Sequence, residues 1–398
     1  MSGFQQQRMK TILVIGTRPD LMKTAPILER MKRFNDFIDP VLVHTGQHYD
    51  ESLSSLFFDD LGLSPPDIYL GIGSGNHADQ TAAILTEFEK TFREIEPHLI
   101  IATGDTNSAV AAAMVAAKGK ALVAHVESGL RSFNTSHPDE INRLIIDRVS
   151  DYHFVTESTA FQNLINEGYD QEQLFFVGNV SMDTLEKIRV RAFAADILDR
   201  LELRRSGYAL LTIHKAENAD NPAVLKNILI GVSGVAGKIP VIFPCHSQTR
   251  INIEKFNLSS YFGQDGIRLI EPAGCLDFLK LESEAALVFT DSGSIQEETT
   301  ILNVPCLTLR RSTERQVTLH EGTNILVGPY PEKITAAAEN ILSGKVKTGT
   351  IPKYWDGKAA ERIVDIIMNI RQSLFEPESV KKGTAKLKTV REALISEK

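Results

Sequence analysis

Apolar residues fall into two alternating patterns along this chain, short uninterrupted β-type runs and longer stretches at helical spacing. Lys10 to Ile15 (KTILVI) has no polar alternation, as expected of a parallel strand buried on both faces. Gly16 ends the run. Leu21, Met22, Ile27, Leu28 and Met31 then recur at helical spacing over Leu21 to Phe34, with Pro19 near the helix start. The unit repeats at Pro40 to His44, followed by the polar loop Thr45 to Asp50 and an amphipathic helix ending near Leu61. Further predicted strands are Leu99 to Ala102, Val123 to Glu127 and Tyr152 to Val155. Predicted helices run from about His77 to Ile95, Ala109 to Ala117, His137 onward, and Ser158 to Glu167. Five or six strand-helix units of this kind predict a doubly wound α/β domain.

Around Gly178 to Leu201 the pattern gives way to a charged helical segment rich in Ala and Arg, and then begins again. Strands are predicted at Tyr208 to His214, Val241 to Pro244, Leu269 to Pro272, Leu287 to Thr290 and Pro305 to Leu309, and helices at Ala223 to Val235 and Ala359 to Leu374. Residues 310–318 and 321–324 are expected to form a long polar loop. The expected organisation is therefore two Rossmann-like domains, 10–180 and 181–372, with a charged tail over 376–398, loosely docked at most.

Composition narrows the function classes. The chain has 398 residues, 42% hydrophobic content and a formal charge of −8, which argues against nucleic acid or an anionic membrane as a main partner. Three widely separated cysteines, Cys245, Cys275 and Cys306, sit in apolar segments and read as reduced core residues. Met1 to Lys10 shows no secretion signal, and no uncharged run approaches the roughly 18 residues a spanning helix needs. A cytoplasmic protein is expected.

The candidate chemistry gathers just past strand ends. In Asp291-Ser292-Gly293-Ser294-Ile295-Gln296-Glu297-Glu298 a strand stops at an Asp, turns through small residues and enters a helix. That helix start can offer free backbone N–H groups to an anion. Ser292 and Gly293 allow close approach, and Glu297 and Glu298 lie a turn later, placed to accept ribose hydroxyls. An ordinary capped junction fits the same local pattern. Arg18 and Lys23 flank the first strand's turn, while Asp105 and Glu127 lie just beyond two further strands. In a parallel sheet those ends share the edge where ligands bind. Asp139 and Glu140 add acidic groups near that edge, and His214 and His246 follow strands of the second half. The Gly71, Gly73, Gly75 spacing is not a dinucleotide fingerprint and reads as a mobile loop. His44 and His48, in a strand-to-loop setting without a third ligand, do not make a zinc site. With neither metal cage nor nicotinamide site, the pattern predicts acid/base chemistry by carboxylates and imidazole, without a cofactor.

From about Lys10 to Ile370 the chain resembles the non-hydrolysing UDP-N-acetylglucosamine 2-epimerase family. The resemblance rests on Gly16-Thr17-Arg18-Pro19-Asp20, Gly104-Asp105-Thr106, His125 to Arg131, Pro138-Asp139-Glu140 with Asn142-Arg143, His214-Lys215-Ala216-Glu217-Asn218, and Asp291-Ser292-Gly293 with Gln296-Glu297-Glu298. It implies a glycosyltransferase-B-type fold and inversion at C2 of a UDP-linked acetamido sugar, by elimination of UDP to a 2-acetamidoglucal and re-addition. On the same basis Asp105, Glu127, Asp139 and His214 are the catalytic residues. Arg18, Lys23, Ser292 and Gly293 are diphosphate ligands, Glu298 the ribose ligand, and His246 and Arg315 further contacts. The family often forms homodimers. Its usual residues are Glu at positions 20 and 139, Arg at 215, Pro at 316 and Gly at 294, where this chain has Asp20, Asp139, Lys215, Gln316 and Ser294.

Three other readings predict different observables. A hydrolysing relative releases UDP, a glycosyltransferase of the same fold requires an acceptor and shows no exchange at C2, and a nucleotide-sugar sensor closes without turnover.

Overall fold

The computed structural model describes residues 7–47, 58–263 and 266–375. Two all-parallel sheets organise it. The first contains β1 (Met9–Ile15), β2 (Ile38–His44), β3 (Ile68–Tyr69), β4 (Leu99–Thr103), β5 (Leu122–Val126), β6 (Tyr152–Val155) and β7 (Leu174–Phe176), in the order β3-β2-β1-β4-β5-β6-β7. The second contains β8 (Ala209–Thr212), β9 (Val241–Pro244), β10 (Ile267–Ile270), β11 (Leu287–Thr290), β12 (Cys306–Thr308) and β13 (Asn324–Leu326), in the order β10-β9-β8-β11-β12-β13. Strand order reverses beside β1 in one sheet and beside β8 in the other. Each reversal opens a crevice at the strands' carboxyl ends, β1/β4 and β8/β11. This is the two-domain Rossmann-like architecture expected from the sequence.

The unalternated apolar runs follow from burial on both faces. On β1, Met9, Leu13 and Ile15 enter one apolar cluster and Ile12 and Val14 enter another on the opposite face. Each such side chain contributes about 1.5–3 kcal/mol on burial. The helices Ser181–Phe193 and Ala359–Phe375, which the sequence pattern groups with the second half, pack into the core of the first sheet through Leu185, Ile188, Ala359, Ile363, Val364 and Ile367. Those apolar faces match the stripe left open along the helix Arg18–Lys32, which supplies Ala25 and Leu28 to the same cluster.

The stretch expected as one long polar loop after β12 instead contains the helix Gln316–His320 and β13, whose Asn324 side chain accepts from Thr308 on β12 at 2.7 Å. All three cysteines are free and buried, and burial pushes each thiol up to about 12. Among the described residues no helix is long and apolar enough to cross a membrane. His48, Tyr49, Asp50 and the tail 376–398 lie outside the described residues.

Candidate active site

On the first sheet, the turn after β1 is built by Asp20, whose carboxylate accepts the N–H groups of Gly16 and Thr17, both at 3.0 Å. Burial raises this carboxyl to about 6. After β4, Gly104 has φ +70°, and a Cβ there would stand 3.5 Å from Lys23 Nζ and 3.8 Å from Glu127 Oε2. The turn thus brings Asp105 beside the same charges. Arg143, from the helix Pro138–Val149, ion-pairs with Asp105 and, at 2.7 Å, with Glu140. Burial works to raise the Asp105 carboxyl, but Arg143, Lys215 and Lys23 outweigh it and hold it below the usual range.

Glu127 follows β5 with φ 75°, a left-handed backbone that a side chain rarely adopts and that costs on the order of 1–3 kcal/mol. The cost is met by the buried Asp147 just behind. Asp147 binds His125 Nδ1 at 2.6 Å and Arg131 Nη2 at 2.7 Å, and accepts from the Ser128 hydroxyl and from the Gly129 N–H at 3.1 Å. The second nitrogen of His125 lies 2.8 Å from the carbonyl of Gly104, so one buried carboxylate braces the turns that carry both Asp105 and Glu127.

The second sheet provides the facing wall. Asp291, fully buried after β11, accepts from the backbone N–H of His214 at 3.2 Å, of Lys215 at 3.1 Å, and from Asn218 Nδ2 at 3.1 Å. It therefore ties the β8 turn to the β11 turn. His214 Nδ1 lies 3.2 Å from Asp291 Oδ1, and its ring centroid stands 5.9 Å from that of His246. Burial within the cleft lowers the His214 imidazole, with Asp291 opposing. Ser292 precedes the helix Gly293–Leu302 and makes no side-chain cap, which leaves the N–H groups of that first turn to another acceptor. A Cβ on Gly293 would meet Glu314 Oε1 at 2.8 Å. Glycine is what lets the arginine loop close over this turn.

Four groups then bridge the walls. Glu127 Oε2 binds Lys23 Nζ at 2.6 Å and Arg315 Nη2 at 3.1 Å, and Arg315 Nε lies 2.8 Å from Glu297 Oε1. All four are buried. Burial favours a neutral Glu127, yet Arg315 and Lys23 hold it below the usual range, whereas burial raises Glu297 to about 8. Nearer solvent, Lys215 Nζ pairs with Asp139 Oδ2 at 2.9 Å. Two cations thus crowd the Glu127 carboxylate between an acidic wall and an anion-accepting helix start. Such an arrangement is chemically able to move a proton beside a phosphate ester.

The structure places Asp105, Glu127, Asp139, Lys23 and Arg315 in this one charge network, with His214, Ser292 and Gly293 across from it. His246 lies beside His214. Arg18 stands close enough to His214 and Glu298 to influence both carboxyl and imidazole. Glu298 sits farther along its helix beside Glu282. The sequence reading had no functional assignment for Arg143 or Lys215, the cations on Asp105 and Asp139, nor for Asp291 and Asp147 as braces. Arg143 was legible as part of the motif Pro138-Asp139-Glu140 with Asn142-Arg143, one helical turn beyond Asp139, but without a role. Among the described residues no group of three or more His, Cys, Asp or Glu is placed to hold a metal ion.

Fold and site together define an enzyme of the glycosyltransferase-B-type architecture, with acid/base groups on one sheet edge and an anion-accepting turn on the other. A model of the family described as UDP-N-acetylglucosamine 2-epimerase matches residues 30–368. The UDP-N-acetylglucosamine 2-epimerase of Methanocaldococcus jannaschii is 42% identical over 370 residues, which cover 90% of this chain and 99% of that protein. The UDP-2,3-diacetamido-2,3-dideoxy-D-glucuronate 2-epimerase of Pseudomonas aeruginosa is 35% identical over 365 residues, covering 91% of this chain and 100% of that protein. The crystal structure of the M. jannaschii enzyme in complex with UDP-GlcNAc and UDP matches with a TM-score of 0.85 at 41% identity, over 91% of this chain and 100% of that one. The chain belongs to the UDP-N-acetylglucosamine 2-epimerase family.

Proposed function

We propose that the protein inverts C2 of a UDP-linked N-acetyl amino sugar, UDP-GlcNAc or a close analogue, by eliminating UDP to a 2-acetamidoglucal and adding UDP back at C1 with a proton delivered to the opposite face of C2. The observation that carries this reading is the Glu127 carboxylate held by Lys23 and Arg315 across from His214 and the Ser292 turn. In the proposal Ser292, Gly293, Arg18, Lys23, Arg315 and His246 hold the diphosphate and Glu298 the ribose. Lys23 and Arg315 then share their charge between Glu127 and the phosphate. A Glu127 so relieved becomes a better base toward the C2 proton. The C2–H is weakly acidic, so departure of the phosphate leads, with Asp105 and Asp139 stabilising positive charge near C1 and His214 steadying the leaving phosphate oxygen. UDP must stay bound between the half-reactions, which suits a cleft whose walls are joined by buried ion pairs.

Incubation with a panel of UDP-acetamido sugars in deuterated water tests it. Deuterium should appear at C2 of the recovered sugar. No exchange with any of them would overturn the proposal, and stoichiometric UDP release would assign the hydrolysing reaction instead. The panel should include a 2,3-diacetamido sugar, because the P. aeruginosa relative is named for one and Asp139 stands one methylene shorter than the family's usual Glu. Homodimeric assembly, implied by the resemblance, belongs to the same proposal and is read by light scattering.

A further inference from the structure

On the helix Gly293–Leu302, one residue beyond Glu297, a second pair of carboxyls meets away from the cations of the cleft. Glu298 faces Glu282, which comes from the helix Cys275–Ser283. Glu282 is fully buried, and neither of its oxygens receives an N–H or alcohol O–H from any described residue. The polar group against it is the Glu298 carboxyl, and its other polar neighbours are the Cys306 and Cys275 thiols. Two facing carboxyls can satisfy each other only through a proton held between them, and a fully buried carboxyl beside a half-buried one disfavours charge on both at once.

The surroundings decide which of the two keeps the proton. Burial pushes both carboxyls up, but Arg18 acts on Glu298 in the opposite sense, while the groups beside Glu282 add to the effect of its burial and raise it well above its ordinary value. Glu282 is the fully buried member, without a salt-bridge partner among the described residues, and Glu298 is half-buried within the influence of Arg18, so Glu298 is the carboxylate and Glu282 the acid.

We propose that Glu282 is a positioning residue for ribose recognition, donating its carboxyl O–H to Glu298 and so fixing the orientation in which Glu298 meets the nucleotide's ribose diol. The inference rests on the reading of Glu298 as the ribose ligand. A carboxylate anchored through one oxygen by an acid keeps the other free as an acceptor in a single rotamer. Without the anchor, Glu298 would have to be ordered at the moment of binding, and part of the hydrogen-bond energy would be lost to that ordering. Glu282 touches no substrate in this account. Its effect is confined to how well the site tells a ribose 2′-hydroxyl from its absence.

Calorimetric titration of UDP and 2′-deoxy-UDP into the wild type, Glu282→Gln and Glu282→Met tests this. The wild type should bind UDP about tenfold or more tightly than 2′-deoxy-UDP, the range of one hydrogen bond to a charged group. Glu282→Gln, whose amide can donate to Glu298, should keep that ratio within about twofold, and Glu282→Met should bring it to within about threefold of unity. A wild-type ratio near unity would overturn Glu298 as the ribose ligand. A wild-type preference that Glu282→Met leaves unchanged, or that Glu282→Gln loses equally, would overturn the role of Glu282. Should the Met variant not fold, the infrared difference spectrum of wild type minus Glu282→Gln decides: it should contain a protonated-carboxyl C=O band, and its absence overturns the inference.

Discussion

Glu127 is the residue at which the site's costs and uses coincide. Its left-handed backbone is strained, one carboxylate oxygen is bound by two cations, and the other, Oε1, is buried with no partner among the described residues. Stability does not account for such a group, because burial without a second partner weakens rather than strengthens a fold. Glu127→Gln keeps the shape and removes the charge. Turnover should fall by at least about 10²-fold while UDP affinity holds or improves, since Lys23 and Arg315 lose their competing anion. Calorimetry showing weakened UDP binding would reassign Glu127 to a structural role. The positions of Asp105 and Glu127 beyond their strands were legible because strand ends in a parallel sheet share one edge. Their partners were not: Arg143 reaches Asp105 from a helix 38 residues on, and Arg315 reaches Glu127 from 188 residues on. No local pattern encodes such pairs.

Among the elements, the buried strands were the most legible, since a strand enclosed on both faces carries an unbroken apolar run, as Ile12 to Ile15 of β1 and Leu99 to Ala102 of β4 do. Short strands escaped the same test. β3 has two residues and β13 begins with Asn324, whose polarity is absorbed by Thr308, Gln296 and Thr318 rather than by water. The turn after β5 shows how a helix can also brace a site from behind. Asp147, on the buried side of Pro138–Val149, binds His125, Ser128, Arg131 and the Gly129 N–H. Asp147→Ala would leave the Arg131 charge short of a buried partner, and should destabilise the protein by roughly 3–5 kcal/mol in urea unfolding. Gly129→Ala should be comparably damaging, because φ is +82° and the new Cβ would stand 2.4 Å from the carbonyl oxygen of Ala160. Loss of activity in either variant without loss of stability would contradict this bracing role.

At the scale of the whole molecule, the two halves meet at a dry floor and at a wetter mouth. On the floor, the Glu157 carboxylate oxygen accepts the Val317 N–H of the other half at 3.4 Å, and burial raises this carboxyl to about 7 from an ordinary 4.5. The folded protein therefore holds a proton that the unfolded chain has lost between those two values, so the contribution of Glu157 to stability is fully present at low pH and falls as pH rises toward 7. The effect is worth at most about 3 kcal/mol. Asp20 and Asp183, each near 6, and Glu297 near 8 act in the same sense, so Glu157→Gln should flatten the melting-temperature profile between about pH 5 and 8 without abolishing its slope. Parallel profiles for wild type and variant would refute the assignment. At the mouth, Asp139 and Lys215 join the halves, and they are two of the positions at which the chain departs from its family's usual Glu and Arg. Read along the sequence, the departures are independent; in the fold they are one contact shortened from both sides. The pair is about one-third exposed, with side chains 37% and 34% accessible, so it contributes less than about 1 kcal/mol to folding. Its consequence lies in how closely the walls approach over the sugar. Asp139→Glu and Lys215→Arg should each lower kcat/KM by several-fold with melting temperatures nearly unchanged. The double variant should lose less than the two combined, with a coupling of at least about 0.5 kcal/mol. Strictly additive losses would mean that the two positions act separately, on the sugar and on the nucleotide.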